Sequence, residues 1–155
     1  MRDTRFVAVH RGGPLIKEHH RLLMIWACDC AEHVFPLLGE PGPDERLVAA
    51  LKVGRAWERA ETSVGVAMRA SLSAHAAARA SLTPTAVAVA RAVGQAVATA
   101  HMADHSLGAA WYALKGVQTL NQSVDDERKW QNGQLPDALK ALVLSARSNP
   151  KFGQL

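Results

Sequence analysis

The chain has 155 residues, 48% of them hydrophobic and 21% charged, with a formal net charge of +4. That length buries a core without metal or disulfide staples, and the balance is that of an ordinary globular protein rather than a disordered or fibrous one. Aromatics are only 5% and alanine is abundant, which argues against a sheet-dominated core and for helices.

The opening "RFVAVHRGGP" is the one strand-like piece, with Phe6, Val7 and Val9 before a Gly-Gly-Pro stop. It is too short to build a sheet, so residues 1–13 read as an extended arm on a single helical domain spanning 1–155. From about Leu15 the apolar period becomes helical, with Leu23, Ala27, Cys30 and Val34 on one face until Pro36. A second helix starts near Pro43, where Asp44 and Glu45 suit the positive helix end, and runs to about Ala60. Thr62 is the expected cap of a third helix containing Met68, Ser71 and His75 along its stripe. Thr83 and Pro84 then cap and open a helical segment reaching about residue 120. Ser123 with Asp126 makes a capping-box-like start for a short helix that Gly133 breaks. Pro136 opens the last helix, and residues 149–155 read as a frayed tail. The expected fold is therefore all-α, a bundle of six to seven helices with a short extended N-terminal arm.

Cys28 and Cys30 stand one residue apart, so on a helix their side chains point about 200° from each other and cannot bond. Two unpaired thiols, no secretory leader pattern and no apolar run of the roughly 20 residues a membrane span needs together point to a reducing cytoplasm. The cations are scattered and carry no aromatic-interleaved basic ribbon, which gives no indication of nucleic-acid binding.

The stretch "ATAHMADHSLGAAWYALKG", residues 98–116, sets His101, Asp104 and His105 inside an alanine-rich run. On one continuous helix His101 and His105 share a face with Gly94, Gly108 and Tyr112 and project toward a close neighbour. If instead the helix breaks near 103–106, Asp104 or Ser106 caps a new helix and His101 falls at a helix C-terminus. The pattern leaves both geometries open. His101 and His105 have the spacing of a two-histidine metal pair, so a divalent metal is the one cofactor the pattern admits; the Glu of the metalloprotease motif is missing. Further ligands would come from His75, or from Asp29 and His33 beside Trp26. Packing of satisfied core histidines is the competing explanation.

The motifs "RFVAVHRGGPL", "HRLLMIWACDCAEHVFPL", "SAHAAARAS", "GQAVATAHMADHSLGAAWYALK" and "ERKWQNGQLP" cover nearly the whole chain. In them it resembles a family of small bacterial all-α proteins labelled as immunity proteins of polymorphic toxin systems. The resemblance implies a cytoplasmic helical protein that neutralises a partner toxin by binding it. It also picks out Asp29, Glu32, His33, His75, Arg79, Gln95, His101, Asp104 and His105 as the family's polar motif positions in this chain. An alanine commonly replaces one of the two cysteines there, which argues against a required two-thiol site. These positions come from three helices and each lies on or beside its apolar stripe, so an inward polar pocket is expected. Two functions follow: a binding protein that sequesters a protein partner, or a small helical enzyme or ligand-binding protein. In the second, Trp26, Asp29, His33, His75, Arg79, Gln95 and Tyr112 line a small-molecule pocket, and His101, Asp104 and His105 supply acid–base chemistry.

Overall fold

The computed structural model describes residues 2–150. Among these residues seven α-helices pack together: α1 (Lys17–His33), α2 (Glu45–Glu58), α3 (Val64–Ala80), α4 (Pro84–Ala98), α5 (His105–Thr119), α6 (Val124–Gly133) and α7 (Asp137–Arg147). Among the described residues there is no strand, only an isolated bridge between Ala8 and Leu15. No helix among them is long and apolar enough to cross a membrane. The tail expected at 149–155 lies, beyond Pro150, outside the described residues.

The helix boundaries follow local chemistry. Thr83 Oγ1 accepts the Ala86 N–H and Pro84 occupies the first turn of α4. Ser123 accepts from Asp126 N–H in the same way at α6. At α3 the capping oxygen belongs to Ser63, which accepts from Val66 N–H, one residue past the expected Thr62.

The centre of the fold is α4, which packs against α1, α2, α3 and α5. Nine of its residues from Ala88 to Ala98 are buried, on every side of the helix, as suits one surrounded by others. Its small side chains let neighbouring backbones approach closely, and Ser71 Oγ of α3 donates to the Gly94 carbonyl at 2.8 Å. A second apolar cluster joins Phe6, Leu15, Leu23, Trp26 and Cys30 to Leu107 of α5 and to Leu139 and Val143 of α7.

The N-terminal arm has extended backbone at Val7 and Ala8, set between two 3-10 turns at Thr4–Phe6 and Val9–Arg11. Gly12 turns the chain at φ 86°, and Gly13 lies so close to the Val7 carbonyl that no side chain fits there. The arm is anchored by Phe6 and Leu15, both buried.

The segment 84–120 is two helices. After Ala98 the chain turns through residues 99–104, held by His101 N–H to Ala98 O (3.0 Å) and His105 N–H to Met102 O (3.0 Å). Asp104 sits at the N-cap position of α5 but makes no side-chain cap bond. Its carboxylate is taken by Arg2 instead, at 2.9 and 3.3 Å.

Candidate functional site

Helices α4 and α5 form a cleft of about 390 Å³ lined by Gln95, Asp104, His105, Gly108, Trp111 and Tyr112, with Arg2 at its edge. Gly108 makes this arrangement fit: a Cβ there would stand 2.6 Å from Gln95 Oε1. The Gln95 oxygen can only accept, so His105 Nδ1 donates to it at 2.7 Å. Trp111 and Tyr112 meet edge to face, with ring centroids 5.0 Å apart. The Trp111 indole N–H is buried without a hydrogen-bond partner among the described residues. An unsatisfied buried donor of this kind costs about 1–3 kcal/mol.

Gly94 has the equivalent role on the neighbouring helix. A Cβ there would lie 2.6 Å from the ring of His75, so the α3 imidazole rests directly on the α4 backbone. Arg91 Nη1 donates to His75 Nδ1 at 2.8 Å, which places the His75 proton on Nε2. Burial pushes the His75 pKa down, and the charges of Arg91, Arg79 and His105 push it the same way. Among the described residues no carboxylate lies within ion-pair distance of Arg79 or Arg91. Arg79 and Arg91 at His75 thus carry guanidinium groups without a carboxylate partner among the described residues, and the α4–α5 cleft carries two aromatic rings and an amide–imidazole pair.

His101 does not share this cleft. It lies in the turn before α5 and lines a smaller cavity with Arg11 and His20, while Asp104 borders both. The break in the helix is the reason: His101 and His105 no longer sit four residues apart on one helical face. No group of three or more His, Cys, Asp or Glu side chains among the described residues is placed to hold a metal ion.

The expected residues of α1 are engaged elsewhere. Asp29 and Glu32 both accept from Arg55 of α2, at 3.0 and 3.2 Å. His33 pairs with Glu127 of α6 at 2.8 Å and stacks on Trp130, with the rings 3.4 Å apart and 5° from parallel. Trp26 is 1% exposed. Its indole N–H donates to the Gln131 carbonyl at 2.8 Å, and the Arg147 guanidinium lies 5.7 Å from its ring. These contacts tie α1 to α2, α6 and α7 rather than lining the cleft. Of the residues expected at one site, His75, Gln95, Asp104, His105 and Tyr112 come together on the α3–α4–α5 side, with Arg79 near enough to act on His75.

Sequence reasoning missed Arg91, Trp111 and Arg2. Arg91 stands four residues before Gln95, and Trp111 three after Gly108, so helical spacing could have added both. Nothing local marks Arg2, whose partner Asp104 is 102 residues away in the chain.

Chemically, the cleft offers hydrogen-bonding groups and aromatic surface, and its carboxylate, Asp104, is paired with Arg2. A comparison with curated proteins and another with solved structures found no match. Residues 13–138 match the family described as "Imm-5 like putative immunity protein", a family whose name implies a cognate toxin as partner. With the match spanning most of the chain, the protein belongs to this Imm-5 like immunity family.

Proposed function

We propose that the chain neutralises its cognate toxin by sequestering it, with the α3–α4–α5 face as the contact surface and an acidic patch on the toxin as its complement. The observations that carry this reading are Arg79 and Arg91, which act on His75 and have no carboxylate partner among the described residues, and the Trp111–Tyr112 pair in the cleft that Gln95, one turn after Arg91 on α4, also lines. Arg, Trp and Tyr are the residue types that dominate interface energetics, and unneutralised charge at an interface steers association and selects partners. Leu72, 64% exposed and three residues before His75 on α3, adds an apolar contact to the same side.

The test is protection and complex formation with the purified cognate toxin domain, using wild type, Trp111→Ala and Arg91→Glu. Loss of a central aromatic anchor weakens binding by about 2 kcal/mol or more, close to thirtyfold, and both variants should lose protection in proportion. Wild-type protection without any complex would overturn sequestration. That result would favour the alternative, a helical enzyme or ligand-binding protein using His101, Asp104 and His105, with or without a divalent metal. The alternative has less support because His101 and His105 open onto different cavities.

A further inference from the structure

Between the N-terminal arm and the α4–α5 turn lies a half-enclosed cavity of about 160 Å³. Its polar lining comes from three separate regions of the chain: Arg2 and Arg11 from the arm, His20 from α1, and His101 and Asp104 from the turn. The one carboxylate, Asp104, is paired with Arg2 at 2.9 Å. Arg11 has no carboxylate within ion-pair distance among the described residues.

The hydrogen bonds fix the protons. Arg11 Nη2 donates to His101 Nδ1 at 3.3 Å, so a neutral His101 carries its proton on Nε2. His20 is 4% exposed and donates from Nε2 to the Thr99 carbonyl at 2.6 Å. Burial lowers the His20 pKa most, the Thr99 carbonyl opposes it, and the positive charges of His10 and Arg11 lower it further. Among the described residues the lining carries two guanidinium groups and one carboxylate, the one that Arg2 occupies, so the cavity is electropositive.

We propose that this cavity binds one compact oxyanion, a phosphate or carboxylate group, held by the Arg11 guanidinium beside the His101 ring with Arg2 at the rim. A guanidinium has five N–H donors, and those of Arg11 not directed at His101 make the short charge-assisted bonds that such oxygens accept. The volume suits a single tetrahedral or planar anion with a few waters, not a nucleotide. Arg2 and Arg11 precede residues 13–138, so the cationic side of this site lies outside the segment that the family match covers. The site is also distinct from the toxin-binding face proposed above, sharing only Arg2 and Asp104 with the cleft.

The test is calorimetric titration of the full chain with inorganic phosphate and, separately, with acetate, at ionic strength held constant with chloride. Wild type, Arg11→Gln and His101→Gln are compared, with the His101 ring followed by NMR. Saturable one-to-one binding of either anion is expected, with the His101 ring signals shifting in step, and the anion that saturates names the group. Arg11→Gln should weaken it at least about tenfold. Arg11 is exposed, so this variant retains wild-type helicity and carries the test even if His101→Gln does not fold. Absence of saturation by both anions up to tens of millimolar, or equal affinity in wild type and Arg11→Gln, would overturn the proposal.

Discussion

Gly108→Ala separates the role of the cleft from the stability of the fold. In the interior of α5, alanine is favoured over glycine by roughly 0.5–1 kcal/mol. Against this, the new Cβ would stand 2.6 Å from Gln95 Oε1 and 3.0 Å from its Cδ, so something has to move. The atoms met are the far end of a flexible side chain, while α4 itself is packed on several sides and cannot shift as easily. The Gln95 carboxamide should swing away and lose its 2.7 Å bond from His105, at a net loss of about 0.5–1.5 kcal/mol. The two effects nearly cancel, leaving stability within about 1 kcal/mol of wild type, a shift of only a few degrees in Tm. Toxin affinity, however, should fall about tenfold or more, since the donor and aromatic surface of the cleft is rearranged. Urea unfolding and calorimetric titration with the toxin domain measure the two quantities on the same preparation. A loss of stability above about 3 kcal/mol would refute the reasoning, because it would mean that the helices and not the side chain give way. Unchanged affinity with a displaced Gln95 would show that the toxin does not use the cleft.

Two further outcomes follow from the burial of titratable groups. His20 and His75 both have pKa values held below the usual 6.5, chiefly by desolvation. The unfolded chain therefore takes up protons first, so stability is full above about pH 6.5 and declines as the pH falls below it. A His20→Gln/His75→Gln variant should show a flatter acid limb in urea unfolding between about pH 7 and 5, and an identical slope would exclude these histidines as its source. Cys28 and Cys30 are fully buried, and desolvation pushes the Cys28 thiol up to about 12 and Cys30 well above its ordinary value. Neither should react with a thiol reagent in the native protein, and both should react after unfolding; rapid native modification of either would contradict their placement.

The helices were legible because their signals are local. Thr83 with Pro84 and Ser123 with Asp126 announce the starts of α4 and α6, and each cap forms as its sequence suggests. The all-round small apolar character of residues 88–98 likewise marks a helix buried among others. Gly94 and Gly108 were readable as points of close approach, and the structure sets His75 and Gln95 against them. What helical spacing left undecided was whether 84–120 continues unbroken, since both geometries satisfy the same apolar period. The turn at 99–104 is held partly from outside, by His20 on the Thr99 carbonyl and Arg2 on Asp104, whose residues lie 79 and 102 positions away.

The same distinction separates the candidate sites. The sequence alone determined which residues are unusual: histidines, a carboxylate and a glutamine among alanines, at spacings that place them near helix packing faces. It could not assign their partners. Asp29, Glu32 and His33 look like members of one cluster with His75 and His105 until α2 and α6 bring Arg55 and Glu127 to them. His101 and His105 look like a pair until the chain turns between them and the N-terminal arm brings Arg11 to one while α4 brings Gln95 to the other. Helical period and capping act over three or four residues, whereas a charged or polar side chain is satisfied by whatever the packed helices carry past it. Only the tertiary structure decides that neighbour, and with it which polar residues hold the bundle together and which face a cleft.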